Sequence, residues 1–141
     1  MKRLFSVLTG TFFVALFLSI QGVRAQDEDM GQLLKHLEDD TDIFSKALDT
    51  ALDSSPLNGT NTEDEINGYV KAFEESTDRL KKDYDKHQDH RVAAHEVVTR
   101  AKSIDTFLKK HPLNETVATD WATVRSDLNR VAKLAKVKLD F

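Results

Sequence analysis

The sequence predicts an all-α protein, an antiparallel four-helix bundle formed by two repeated helical hairpins. Three observations favour this fold class: apolar residues recur every three or four positions in four segments, one motif occurs twice, and a proline follows two of the segments. No stretch alternates apolar and polar residues for long enough to indicate a β-strand. Because the sequence contains no cysteine, the fold has to rely on a hydrophobic core without disulfides.

The four helical segments each carry an apolar stripe at helical spacing. One amphipathic hairpin leaves half of each stripe in water, so two hairpins packed face to face are expected. The segments have similar lengths and short links, which favours antiparallel neighbours. The largest side chains in phase with the stripes, expected at the centre of the core, are Phe44, Phe73, Phe107 and Trp121.

The helix ends are predicted from proline and capping residues. Pro56 and Pro112 lack an amide hydrogen and clash with a preceding helical turn, so the first and third helices should end before them. Thr62 and Glu65 have the spacing of a capping box, which predicts the start of the second helix. Asn114 is a favourable cap for the fourth helix.

An internal match indicates that the hairpin is duplicated. Residues 48–60 align with residues 104–116 at a constant offset, and seven of the aligned positions are identical, including a Pro-Leu-Asn turn. When one residue is dropped from the connection, the apolar positions of the following helices also align. We therefore predict one repeat at about 33–86 and a second at about 91–137, with the link near residues 87–90.

The beginning of the sequence has the pattern of a secretory signal peptide. Basic residues at positions 2 and 3 precede an apolar run over 4–20 that no charge interrupts, and Val-Arg-Ala at 23–25 supplies an A-x-A-like cleavage site. The alternative is an uncleaved anchor, since the run approaches the length of a membrane span. We predict a signal peptide at 1–25, a flexible N-terminus at 26–32, a bundle domain at 33–141, and a secreted or periplasmic protein without a membrane span after cleavage.

Charge is distributed unevenly along the predicted mature chain. Residues 26–69 carry a net charge of −10, whereas residues 70–141 carry +3. The difference is consistent with helices that attract each other within the bundle, with association of two chains, or with a solvated acidic face. Nucleic acid is an unfavourable partner because its binding needs a clustered basic surface. The expected partner is an unknown protein or a second copy.

One weak metal-binding hypothesis arises from Asp83, His87 and His90. On a continuous helix their spacing would place a carboxylate and two imidazoles on one face, and these ligands suit zinc, copper or nickel. The alternative is a hydrophilic helix end, where Asp, Lys and His occur because the segment is solvated. No cofactor is predicted.

Catalytic and modification motifs give little further indication of function. No nucleophile–base pair, Glu-x-x-His pair or Gly-rich phosphate loop occurs, so no catalytic residue is predicted and the protein is not expected to be an enzyme. Asn58 and Asn114 each begin an Asn-x-Thr glycosylation sequon. Their placement is explained equally well by turns and helix caps.

The repeated chain resembles a family of uncharacterised secreted, all-helical proteins from soil-type bacteria, acidobacteria among them. The resemblance lies in residues 44–60, 63–85 and 120–134, with Phe-Glu-Glu-x-Thr-Asp-Arg-Leu and Asp-Trp…Arg-x-Asp-Leu as its most specific elements. It implies an exported helical protein and no particular activity. The sequence thus favours an exported, non-catalytic interaction or envelope-associated module. The alternative is a periplasmic or extracellular protein that binds or senses divalent metals.

Overall fold

The computed structural model describes residues 29–141, which form four helices. They are α1 (Met30–Asp53), α2 (Asn61–Asp85), α3 (Arg91–Lys110) and α4 (Glu115–Leu134). The predicted all-α four-helix bundle is confirmed, since the described residues contain no strand. Within residues 29–141, no helix combines the length and the apolar character that crossing a bilayer requires.

The signal-peptide prediction for residues 1–25 lies outside the described residues. So does the first part of the predicted flexible N-terminus, residues 26–28. α1 begins within the predicted range 26–32, at the buried Met30. The Asp29 carboxylate accepts a hydrogen bond from the Gly31 amide and caps this earlier start.

The closest helix pairs join the two predicted hairpins. α1 packs most tightly against α4, and α2 packs most tightly against α3. The partners within each hairpin, α1 with α2 and α3 with α4, make fewer contacts. Two grooves therefore run along opposite sides of the bundle, one between α1 and α2 and the other between α3 and α4.

The aromatic centre of the core agrees with the sequence prediction. Phe44 and Phe73 have no exposed surface, and Phe107 and Trp121 are also buried. The centroid of the Trp121 ring lies 5.0 Å from that of the Phe44 ring, in a tilted arrangement. It lies 6.2 Å from the centroid of the Phe73 ring, in an edge-on arrangement. Residues from α1, α2 and α4 thus meet around Trp121, where aromatic pairs add to the stabilisation from buried area.

The start of α2 differs from the prediction by two residues. Thr60 is the cap: its hydroxyl accepts a hydrogen bond from the Glu63 amide, and the Glu63 carboxylate accepts one from the Gly59 amide. The predicted Thr62–Glu65 pair is wrong because Gly59 turns the chain at φ +71°, and the helix begins directly after the extended Thr60. At α4 the predicted Asn114 cap is confirmed, with its side chain accepting from the Val117 amide at 2.9 Å.

The ends of α2 and α4 share a left-handed turn made without glycine. His87 has φ 54° and Lys136 has φ 56°. In each case the following amide bonds back across the helix end, Gln88 N to Asp83 O at 2.9 Å and Val137 N to Ala132 O at 2.8 Å. This is the Schellman arrangement, whose left-handed position is usually glycine.

Replacing His87 by glycine should therefore stabilise the protein by roughly 0.5–1 kcal/mol, because glycine avoids the Cβ clash of a left-handed residue. Urea unfolding followed by circular dichroism measures the difference. Gln88→Gly is the matched control: Gln88 has no positive φ, so it should give no gain. Equal stability of wild type and His87→Gly would contradict the expected strain.

Candidate functional site

The groove between α1 and α2 is lined largely by acidic side chains, and we call it the acidic groove. It has a volume of about 330 Å³. Its lining residues are Glu38, Asp39, Thr41 and Asp42 from α1 and Glu74, Thr77 and Asp78 from α2. Glu38 and Asp42 are four residues apart, as are Glu74 and Asp78, so each pair lies on one helix face. This spacing of acidic residues is visible in the sequence and could have indicated an acidic face on each helix.

The floor of the groove is polar but internally satisfied. Thr41 and Thr77 are buried, and each hydroxyl donates to a carbonyl one turn earlier in its own helix, Leu37 O at 2.6 Å and Phe73 O at 3.1 Å. Small side chains at the α1–α2 contact, satisfied within their helices, leave the space between the helices open. The acidic side chains at the rim of the groove are therefore available to a ligand, whereas the threonine hydroxyls on its floor already have hydrogen-bond partners.

The negative charge in the groove is only partly compensated. Lys81 pairs with Glu38 at one edge, with Nζ 2.6 Å from Oε2. Within residues 29–141, Asp42, Glu74 and Asp78 form no ion pair. Burial raises the pKa of Glu74, and the charges of Asp42 and Asp78 raise it further against a hydrogen bond from Ser45. The contribution of Asp42 and Asp78 to this shift indicates that like charges crowd the groove, where an added positive charge would be favourable.

The acidic groove does not have the geometry of a metal centre. Within the described part of the chain, no group of three His, Cys, Asp or Glu side chains is arranged to hold a metal ion. Its carboxylates project from two helices along an open groove. The arrangement is better suited to several separate contacts with ammonium or guanidinium groups.

The three residues of the metal hypothesis occupy three different environments. Asp83 lies in α2, His87 follows the helix in the left-handed conformation, and His90 precedes α3. The His90 ring packs edge-on against Tyr84, with centroids 5.7 Å apart. The continuous helical face assumed by the hypothesis is not formed, because α2 ends at Asp85. Metal binding by these residues stays a prediction without geometric support.

The two sequon asparagines lie at the same end of the bundle. Asn58 donates from its side-chain amide to the Asp53 carbonyl at 2.9 Å, whereas Asn114 caps α4. The two Pro-Leu turns also face each other there across a cavity of about 610 Å³. Both asparagines thus have structural roles, in a turn and in a helix cap, that explain their presence.

A buried carboxylate on α4 was missed by sequence analysis. Asp127 is 6% exposed on the face of α4 that packs against α1, and it accepts from Arg130 Nη1 at 2.9 Å. Burial raises its pKa to about 6, assisted by a hydrogen bond with Asp40 and by the Asp40 charge, while the His36 charge opposes the shift. Neither Asp127 nor Asp40 lines the acidic groove, so this carboxyl pair gives no indication of a catalytic pocket.

The Asp127 pKa predicts a pH dependence of stability. A folded-state pKa of about 6, above the ordinary 3.8, means that the folded protein holds this proton more tightly than the unfolded chain does. The contribution of Asp127 to stability is fully present below pH 3.8 and is lost as the pH rises through 6. The stability of Asp127→Asn relative to wild type should therefore increase by on the order of 1 kcal/mol between pH 5 and pH 7.

Urea unfolding at pH 5 and pH 7 checks this expectation. The advantage of Asp127→Asn over wild type should be larger at pH 7 than at pH 5. Asp53→Asn, at an exposed aspartate, is the control and should show no such difference. An advantage of Asp127→Asn that does not depend on pH would contradict the assignment of a raised pKa.

A second buried carboxylate, Asp105, lies beside the indole NH of Trp121 and two cationic side chains. Trp121 Nε1 donates to Asp105 Oδ1 at 3.1 Å, Lys109 Nζ lies 2.6 Å from Oδ2, and Arg125 Nη1 lies 3.4 Å from Oδ1. Burial raises the pKa of Asp105, but the hydrogen bonds from Lys109 and Trp121 and the Arg125 charge outweigh it, so the pKa lies below its usual value. This carboxylate joins α3 to α4 and has the role of a structural anchor.

Comparisons with known proteins add no assignment to this geometry. No protein-family model, curated protein or solved structure matches the chain. The fold is therefore established by the helices themselves, and the function has to be argued from the grooves and their charges.

Proposed function

We propose that this protein is an exported, non-catalytic helical-bundle module that binds a cationic segment of a partner protein in the acidic groove. Export is supported by the signal-peptide pattern of residues 1–25. The absence of a catalytic motif in the sequence favours binding over catalysis. The interaction surface is the groove between α1 and α2.

The observation that carries this proposal is the unpaired negative charge of Asp42, Glu74 and Asp78. Three carboxylates lie along one groove; burial is the main cause of the raised Glu74 pKa, and the negative charges of Asp42 and Asp78 raise it further. A lysine or arginine side chain placed between them would replace repulsion with charge-assisted hydrogen bonds. Lys81 already makes one such pair with Glu38 at the edge of the groove.

The shape of the groove favours a segment of polypeptide over a compact small molecule. The groove is open along its length between the facing sides of α1 and α2, and its acidic residues span one turn of each helix. A cationic chain can contact both pairs at once, whereas a single small cation cannot. Opposite charge also speeds the encounter and makes it sensitive to salt.

A fluorescence-anisotropy titration tests the proposal. The probe is a short fluorescein-labelled peptide of alternating lysine and alanine, titrated at low ionic strength with the chain from residue 26 onward. Each partly exposed ion pair contributes up to about 1 kcal/mol, so Asp42→Asn/Asp78→Asn should weaken binding roughly tenfold. Binding should also weaken as ionic strength rises.

The matched control is Asp53→Asn/Glu75→Gln, which removes the same net charge at two exposed positions outside the groove. It should bind the peptide nearly as well as wild type. If both double variants lose affinity equally, the peptide responds only to net charge. That result, or no binding by wild type, would overturn the proposal.

A further inference from the structure

The groove between α3 and α4 is covered by the residues that follow α4. Residues 136–141, which we call the strap, turn back after the helix and run along the groove. Near the beginning of α3, Val137 and Lys138 line the same cavity as Arg91 and Val92. Further along, Lys102 Nζ on α3 lies 3.4 Å from Asp140 Oδ2. The equivalent α1–α2 groove has no such cover within residues 29–141.

The strap binds the groove as an extended ligand would. Its residues alternate: Val137, Leu139 and Phe141 are partly buried against the core, whereas the intervening Lys138 and Asp140 are exposed. Alternate side chains of an extended chain point to opposite sides, so one side fills the groove and the other remains in water. The contacts are those of a peptide seated between two helices.

Arg125 on α4 holds the far end of the strap. Its Nη2 donates to the Phe141 carbonyl at 2.9 Å, and its guanidinium lies 5.6 Å from the centre of the Phe141 ring. The same guanidinium reaches Asp105 with Nη1 at 3.4 Å. The buried Asp105 therefore holds the Arg125 guanidinium in position, whether or not the strap is bound.

The hinge of the strap combines backbone strain with exposed apolar surface. Lys136 has φ 56°, a left-handed conformation that a lysine adopts at a cost of about 1 kcal/mol. Beside it, Leu134 is 41% exposed, and Val92 across the same cavity is 80% exposed. Of the three large apolar residues that the described chain leaves exposed, two thus lie at this hinge.

We propose that the strap exchanges between two copies of this chain, so that each strap occupies the α3–α4 groove of the other copy. Every contact that the strap makes within one chain is then made between chains, and only the hinge changes. Opening the hinge relieves the Lys136 strain, and the second copy covers Val92 and Leu134. This self-association uses a different groove from the cationic-segment site and does not rest on that proposal.

Crosslinking between two single-cysteine variants of the full chain tests the exchange. The sequence has no cysteine, so Lys102→Cys and Asp140→Cys each introduce the only thiol. The two variants are mixed, incubated at rising total concentration and treated with a short bifunctional maleimide. A crosslink between position 102 of one chain and position 140 of another forms above the level given by random collision when a strap occupies the groove of another copy.

The control pairs Lys102→Cys with Glu75→Cys, an exposed position on α2. Since a docked pair has an effective concentration of about a millimolar, the Lys102–Asp140 mixture should give roughly tenfold more linked dimer than the control. The double variant Lys102→Cys/Asp140→Cys, at low concentration, should crosslink within one chain. If it does so while the mixture gives no more dimer than the control, the strap stays in its own groove and the exchange is overturned. Failure of the double variant to crosslink would overturn it as well, because the strap would then not occupy the groove.

Discussion

Replacing Phe44 by alanine should destabilise the bundle by about 4 kcal/mol. Phe44 is fully buried on α1 and contacts Trp121 of α4 with ring centroids 5.0 Å apart. The substitution removes the apolar contacts, leaves a cavity at the tightest helix pair and ends an aromatic interaction. Because small domains are stabilised by about 5–15 kcal/mol, a large part of the total would be lost.

Urea unfolding followed by the fluorescence of the single tryptophan, Trp121, measures this loss directly. Ile43→Ala is the matched control, since the neighbouring Ile43 is 54% exposed. It should change the free energy of unfolding by less than about 0.5 kcal/mol. Similar effects of the two substitutions would show that Phe44 does not lie at the centre of the core.

Replacing Asp105 by alanine should destabilise the protein by about 3 kcal/mol. The substitution leaves the indole NH of Trp121 without its acceptor and removes the counter-charge of Arg125 and Lys109. Removing one member of a buried charged network leaves the others unsatisfied. The exposed part of Lys109 limits the loss, because water screens that pair.

Two further variants separate the hydrogen bond of Asp105 from its charge. Asp105→Asn keeps an acceptor for Trp121 and should lose less than Asp105→Ala. Asp49→Ala changes the aspartate that the internal match aligns with Asp105; Asp49 is exposed, so it should have little effect. A loss from Asp49→Ala as large as that from Asp105→Ala would contradict the special role of the buried site.

The pH dependence of Asp105 has the opposite sign to that of Asp127. Because its folded-state pKa is lowered, Asp105 contributes stability at pH values above its usual 3.8, and this contribution is lost as the pH falls through the lower folded value. Wild type should therefore lose its advantage over Asp105→Asn in acid. An advantage that grows on acidification would show that Asp105 is protonated in the folded protein.

The core is more predictable from the sequence than the candidate site is. Helical phase alone placed Phe44, Phe73 and Trp121 in the interior, because a 3.6-residue period assigns each apolar side chain to one face. The same phase was available for Glu38 with Asp42 and for Glu74 with Asp78. Periodicity does not show, however, which polar faces meet across a groove and which point into solvent.

The predicted capping box and the metal hypothesis both depend on where α2 begins or ends. At each end of α2, one residue in the left-handed conformation sets the boundary of the helix. Gly59 lies before the start of α2, and His87 lies after its end. The spacing of Thr62 and Glu65 fits a capping box, and the spacing of Asp83, His87 and His90 fits one helix face. Spacing alone does not show where the helix ends. The structure places the cap at Thr60 and ends α2 at Asp85, and side chains beyond a helix end no longer follow its face. Metal binding at Asp83, His87 and His90 stays a prediction.

The sequence by itself determined that this chain forms amphipathic helices, that prolines follow two of them, and that a hydrophobic core has to hold them together. These are local properties of periodicity, caps and composition. Only the tertiary structure decided that α1 pairs with α4 and α2 with α3, that Asp105 and Asp127 are buried, and that the strap covers one groove while the other stays open. Those outcomes depend on which faces pack most closely, and packing between residues far apart in sequence is set by the shapes and charges of whole helices.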